Sequence, residues 1–308
     1  MRLRVIDLDG SVSVQPPLAA RIENGQGLRL DLRQLAPSLR LVASGRAVLR
    51  FLSQVQAAGP APGSGPEITF YGSGDFHHLT TALLMRLDRP VTVIHLDNHP
   101  DWTSFPATFN CGAWVNRALE LATVAKVITI GPCSHDLRWP QMKAGNLAAI
   151  VNGRLEIYPW HHPPSRVIGR YSDMASATHR YGKLVWRNVG GAEWSSFLSD
   201  LPQRIGTSDI WITLDKDVLS TEESATNWDQ GDMTIAHVVD LVRMLAGRFR
   251  IAGMDVCGDY SPARFRDPYR LALTALDLAS RRHPTPAALT VNAQTNARLL
   301  TLFDQVAP

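Results

Sequence analysis

Val91-Thr92-Val93-Ile94-His95-Leu96, followed at once by Asp97-Asn98-His99-Pro100-Asp101, is the stretch on which the fold turns. A short, nearly continuous apolar run is the signature of a strand buried on both faces of a parallel sheet. In such sheets ligands bind outside the carboxyl ends of the strands. The polar cluster that follows the run stands at that place. Alternate residues of an extended segment point to one side, so Asp97, His99 and Asp101 converge at one edge.

Working outward, the same kind of run recurs at Leu3–Leu8, Glu67–Tyr71, Val127–Ile130, Asp209–Leu214 and Ile251–Val256. Helical patterns fall between them, at Gly45–Ala57, Leu79–Leu87, Ala113–Leu121, Ala236–Ala246 and Tyr269–Ala279. Interleaved strands and helices predict one α/β domain over residues 1–308: three layers, α/β/α, around a mainly parallel sheet. Two Pro-rich stretches, Ala57–Pro66 and His161–Ser165, read as loops.

Three more of these runs end in polar clusters. Glu67–Tyr71 leads into Gly72-Ser73-Gly74-Asp75-Phe76-His77-His78. Asp209–Leu214 leads into Asp215-Lys216-Asp217. Ile251–Val256 leads into Cys257-Gly258-Asp259. Carboxylates gathered this closely repel one another unless a cation neutralises them. A mainly oxygen donor set with a minority of imidazole suits manganese, while iron, cobalt, nickel or zinc can also enter it. Any one Asp-x-Asp or Asp-x-His is common in loops and at helix N-caps. Three such clusters, each directly after a buried strand, outweigh that explanation.

The order of these motifs resembles the ureohydrolase superfamily, which holds arginase and agmatinase. In that family GGDHS, DAHxD, SxDxD and DVxE motifs follow one another on strand ends. The likeness runs from about Glu67 to Pro262, through Gly74-Asp75-Phe76-His77, Asp97–Asp101, Thr213–Asp217 and Asp255–Asp259. It implies an arginase-like fold and two metal ions bridged by Asp97 and Asp215. His77 and Asp101 would complete one ion, His99 and Asp217 the other. Phe76 is inserted into the family's Asp-His pair, so His78 competes with His77 for that place. The resemblance further implies that Asp101 orients the nucleophile and moves its proton, and that Asp259 faces the substrate guanidinium.

Departures from the family pattern concern the rim. Cys111 stands where arginase has a proton-carrying histidine, and Thr226–Gly231 replaces the loop that normally follows the third motif. The closing motif is one residue longer than usual. Cys111, Trp228 and Asp259 are therefore the candidate substrate contacts. The altered rim resembles the divergent branch of peptide arginases. The implied activity is manganese-dependent hydrolysis of a guanidino C–N bond, giving urea and an amine. The expected substrate is an arginine side chain within a peptide, converted to ornithine.

Three rival readings stand beside this one. Asp7-Leu8-Asp9-Gly10-Ser11 resembles the nucleophile motif of haloacid dehalogenases, although an Asx turn closing the first strand explains it more simply. His77-His78 resembles the tandem histidines of histone deacetylases, but a one-metal site leaves Asp101 and the Asp215/Asp217 pair without a task. A non-catalytic metal-binding protein would have no need of all six ligands. Lys216 should point away from its acidic neighbours by alternation, His161-His162 reads as a solvated loop, and Cys133 as a small buried residue.

Composition excludes several other classes. Hydrophobic residues make up 45% and charged residues 19%, the balance of a chain with a sizeable core. Net charge is +3 and no basic run exceeds two residues, so no nucleic-acid partner is expected. No apolar run approaches the ~20 residues of a membrane span. The first residues lack a signal core, and three scattered cysteines fit a reducing compartment, so the expected location is cytoplasmic.

Overall fold

The computed structural model describes residues 1–104, 108–263, 265, 267–268, 270–271 and 286–306. Eight strands form one sheet: β1 (Arg2–Asp7), β2 (Gly27–Asp31), β3 (Glu67–Phe70), β4 (Val91–Leu96), β5 (Val124–Ile130), β6 (Leu155–Tyr158), β7 (Asp209–Asp215) and β8 (Arg250–Cys257). Their order is β2-β1-β3-β8-β7-β4-β5-β6. Every neighbouring pair is parallel, which matches the expected mainly parallel α/β sheet. The six foreseen strands agree with the observed ones to within a few residues.

The helices flank the sheet. They are α1 (Pro16–Glu23), α2 (Gly45–Ala57), α3 (Leu79–Leu84), α4 (Trp114–Leu119), α5 (Leu147–Val151), α6 (Trp194–Asp200), α7 (Ile235–Ala246) and α8 (Pro286–Val306), beside a short turn of helix at Ala36–Leu39. α2 shows why such segments are helical. Ser44 caps its N-terminus by accepting from the Ala47 N–H, and Val48, Phe51, Leu52 and Val55 recur at helical spacing to form its buried side. Within β4, Val91 and Val93 join the apolar cluster that holds Phe51, Leu83 and Val115. Ile94 and Leu96 join the cluster of Val238, Leu241 and Phe303. One strand thus feeds a core on each face of the sheet, each fully buried aliphatic side chain contributing about 1.5–3 kcal/mol.

Both edge strands escaped the sequence reading. β2 is only partly buried, and β6 is four residues long. A three-stranded antiparallel sheet of Ser165–Arg166, Ala177–Arg180 and Lys183–Trp186 was also unforeseen, as were α1, α5, α6 and α8. The expected helix Tyr269–Ala279 lies outside the described residues but for positions 270 and 271. No helix among the described residues is long and apolar enough to cross a membrane.

Register positions the site. Leu214 of β7 pairs with Leu96 of β4 and with Val256 of β8. The next residues along, Asp97, Asp215 and Cys257, therefore come level at one edge of the sheet.

Candidate metal centre

Two overlapping groups of side chains meet at that edge. In the first, His77, His95, Asp97 and Asp101 each offer a ligand atom within 4.8 Å of the others; in the second, Asp97, His99 and Asp217 do so. Asp97 belongs to both. A third triple, His77, Asp215 and Cys257, is equally compact. The six residues expected to hold metal, with His77 rather than His78, are thus gathered at the ends of β3, β4 and β7.

His77 is oriented from behind. Its Nε2 lies 2.9 Å from Thr213 Oγ1. That hydroxyl donates to Asp255 Oδ1 at 2.8 Å, so its oxygen accepts from His77 Nε2–H, and in the neutral ring the lone pair is on Nδ1. Nδ1 is 3.0 Å from Asp97 Oδ2, 3.3 Å from Asp101 Oδ2 and 3.6 Å from Asp215 Oδ2. It is buried and aligned for a hydrogen bond with none of them. An orphaned lone pair aimed among carboxylate oxygens is what a metal position requires. A carboxylate that fixes a histidine ligand through its far nitrogen is the usual support of such sites; here Asp255 does so through Thr213.

His95, not foreseen, lies on the same side of β4. Its Nε2 is 2.9 Å from Asp97 Oδ2 and its Nδ1 is 3.0 Å from Thr129 Oγ1. The rings of His77, His95 and Trp114 pack against one another with centroids 4.9–5.1 Å apart. Trp114 Nε1 donates to Asp101 Oδ2 at 2.8 Å. Asp101 itself adopts a left-handed backbone conformation, φ 46°, which its short polar side chain tolerates.

The outer group is more open. His99 Nδ1 lies 3.0 Å from Asp217 Oδ2, and its Nε2 3.0 Å from Asp229 Oδ1. Asp229 is 40% exposed, against 3% for Asp217. Trp228 stands beside it, its ring edge-on to His99 with centroids 5.9 Å apart, and its Nε1 donates to Asp75 Oδ1. Asp75 in turn pairs with Arg40 at 2.7 Å.

Backbone presses on Asp215. A Cβ at Gly74 would come within 2.4 Å of Asp215 Oδ2, and one at Gly258 within 2.3 Å of Asp215 Oδ1. Gly258 also sits at φ 94°, where side chains are strained. Only glycine fits either place.

Electrostatics argue for a cation. Asp97, Asp101, Asp215 and Asp217 are all buried. Burial raises the carboxyls of Asp101, Asp215 and Asp217, and the charges of neighbouring aspartates push the same way. Burial alone would discharge His77 and His99, yet the adjoining carboxylates hold both well above the usual imidazole value. Asp97 is driven low despite burial by its three histidine partners. Among the described residues the ion-pair partners of these four carboxylates are histidines, so the donor chemistry fits divalent metal.

Other expected residues take different places. His78 belongs to neither group; burial pushes it down to about 3. Asp259 Oδ1 pairs with Lys216 Nζ at 2.6 Å and accepts from Gln15 Nε2 at 2.6 Å, while Oδ2 is buried with no hydrogen bond. The acid expected to face a guanidinium therefore already has an internal cation. Cys111 opens the turn Cys111–Ala113, half-buried, with its N–H donating to Leu41 O. Asp7 and Asp9 accept from the N–H groups of Gly10 and Ser11, the Asx-turn arrangement. His95 shares strand parity with Asp97, and Thr213 with Asp215, the signal that could have exposed them; Asp255 and Cys257 alternate with Asp259.

No protein-family model matches the chain. An uncharacterised protein of Thermotoga maritima is 24% identical over 203 residues, 64% of this chain and 60% of that protein. Among solved structures, the agmatine ureohydrolase of Thermoplasma volcanium covers 99% of this chain and 89% of its own, with TM-score 0.56 and 13% identity. Arginase from Bacillus subtilis covers 98% of both, at TM-score 0.55 and 11% identity. Proclavaminate amidino hydrolase from Streptomyces clavuligerus covers 99% and 92%, at TM-score 0.50 and 14% identity. The chain shares the fold of these enzymes.

Proposed function

We propose that the protein is a binuclear metal-dependent hydrolase that cleaves a guanidino C–N bond to give urea and an amine. The observation that carries this reading is the overlap of two ligand groups on Asp97, at the carboxyl edge of a sheet that agmatine ureohydrolase and arginase structures share. His77, Asp101, Asp97 and Asp215 would hold the inner ion. His99, Asp217, Asp97 and Asp215 would hold the outer one, whose nearly all-oxygen set suits manganese. Such ions supply Lewis acidity and bring the pKa of a bound water near neutrality.

The chain's own side chains would do the rest. Asp101, with Oδ2 held by Trp114 Nε1, would orient the attacking water and pass its proton to the leaving amine. With Asp259 Oδ1 engaged by Lys216, cation recognition falls to Asp229 and Trp228 at the open side of His99. A carboxylate offers a guanidinium charge-assisted hydrogen bonds, and an indole face attracts it. A recognition group at the exposed rim favours an arginine side chain carried by a peptide over free arginine.

The test is urea release from arginine-containing peptides, free arginine, agmatine and guanidino acids, with manganese supplied. Urea from the peptide in excess over free arginine is the expected result. Faster release from free arginine or agmatine would overturn the peptide reading alone. Two bound ions with no urea from any compound would make this a metal-binding protein without that activity.

A further inference from the structure

Cys257 has no role in the oxygen-and-imidazole set described so far. It closes β8, level with Asp215 of the neighbouring strand, and it is fully buried. Its Sγ lies 3.3 Å from Asp215 Oδ2. With His77 and Asp215 it forms a compact triple whose ligand atoms all lie within 4.8 Å of one another. The second observation is the orphaned Nδ1 of His77, 1% exposed, without a hydrogen bond, and 3.6 Å from that same Asp215 oxygen. The lone pair and the sulfur thus flank one carboxylate oxygen. Strand β8 serves the position twice, because Asp255, two residues earlier on the same side, anchors the Thr213 hydroxyl that turns the His77 ring.

We propose that Cys257 is a thiolate ligand of the inner ion, beside His77 and Asp215, and that its sulfur makes this position prefer zinc or cobalt to manganese. The inference rests on reading the cluster as a metal centre. Thiolate is a soft donor that selects zinc and similar ions, whereas carboxylate and water suit manganese. On binding, a sulfur–metal bond forms, the thiol proton leaves to solvent, and no electron changes hands. The two positions then differ in kind: an inner one with sulfur, nitrogen and oxygen, and an outer one with nitrogen and oxygen only.

The experiment is a cobalt(II) titration of the full chain after chelator dialysis, followed by absorption. The expected result is visible d–d bands together with a near-ultraviolet sulfur-to-cobalt charge-transfer band. That band should vanish in Cys257→Ser and persist in the Cys111→Ser/Cys133→Ser double variant. In competition, Cys257→Ser should lower the zinc-over-manganese preference of the inner position by about 10-fold or more. Cobalt bound with d–d bands but without the charge-transfer band overturns the thiolate ligand and leaves the metal centre standing. A band that survives Cys257→Ser, or that disappears in the double variant, does the same. No cobalt bound at all overturns both. Should Cys257→Ser fail to fold, the wild-type and double-variant spectra decide.

Discussion

The ends of β7 and β8 carry two buried acidic assemblies, neutralised in opposite ways. On one side Asp215 and Asp217 join Asp97 and Asp101, whose ion-pair partners among the described residues are histidines. On the other side Lys216, itself wholly buried, reaches Asp259 at 2.6 Å. Gln15 and Asn296 close the ring: Gln15 Nε2 donates to Asp259, Asn296 Nδ2 donates to Gln15 Oε1 at 2.6 Å, and Lys216 donates to Asn296 Oδ1 at 3.1 Å. The second assembly carries its own cation and ties α8 to the strand ends. On the function proposed above, the first takes its cations from solution. Asp215 closes β7, and Lys216 and Asp217 lie in the tight turn Lys216–Val218 that follows it, which sends Lys216 to Asp259 and Asp217 to His99.

The comparison is open to attack, beginning with the largest effect. Asp97→Asn removes the carboxylate common to both ligand groups. Metal analysis should find both ions lost and urea release at background. Full double occupancy in that variant would break the picture of a shared ligand. Next, Asp259→Ala leaves Lys216 charged, buried and bonded to Asn296 alone. A denaturant titration should show a loss of about 3–5 kcal/mol, with metal content kept. The double change Lys216→Met/Asp259→Leu should recover most of that loss, because an apolar pair replaces an ion pair at similar volume. If Asp259→Ala unfolds normally and only substrate affinity drops, Asp259 serves the guanidinium and the contrast drawn above fails.

Smaller effects sharpen the distinction within the metal cluster. Thr213→Val removes the hydroxyl that orients His77. It should weaken the inner ion about 10–100-fold in equilibrium dialysis and spare the outer one. Asp229→Asn should give the opposite pattern, about 10-fold on the outer ion alone. Equal losses at both positions in either variant would mean that the groups do not bind separately.

Burial and the charge of Asp97 push the Asp101 carboxyl up to about 8 from an ordinary 3.8. Between those values the ion-free folded state holds a proton that the unfolded chain has lost, so stability falls as pH rises through the window. The raised carboxyls of Asp215 and Asp217 and the raised imidazole of His77 add the same sign. Asp97, driven below its ordinary value, acts only at more acidic pH. Metal requires these groups deprotonated, so its stabilisation should grow over the same range. His78 and His95, pushed down by burial to about 3 and about 4, act with the opposite sign below the ordinary imidazole value of 6.5, so thermal unfolding with and without ions across pH 6.5–8 reads both slopes. An ion-free melting temperature that rises with pH would mean that the carboxylates already have their counter-charge.

Much of this site was legible in one dimension. Asp97, His99, Asp101, Asp215 and Asp217 stand out because each acidic cluster directly follows an apolar run. The tasks of the helper residues did not stand out. Thr213, Asp255 and Cys257 fall within the quoted motifs, but nothing local in the chain tells that they reach His77 and Asp215. His95 sits within the strand itself, and its tie to Asp97 depends on how the rings of Trp114 and His77 crowd it. Edge strands β2 and β6 were missed because they are short or half-exposed and carry little hydrophobic signal.

The sequence by itself determined that buried strands end in carboxylates and imidazoles on one edge, since apolar runs and two-residue alternation are local properties of the chain. Tertiary structure alone decided the order in which the strands lie side by side, and hence that β7 stands between β4 and β8 with Asp97, Asp215 and Cys257 level. It turned His77 rather than His78 toward the carboxylates, the His77 ring meeting Thr213 and Trp114 while His78 joins no ligand group. It also gave Asp259 to Lys216 instead of the rim. Which charge a buried carboxylate meets depends on the packing of distant segments, and no local pattern in the chain encodes that.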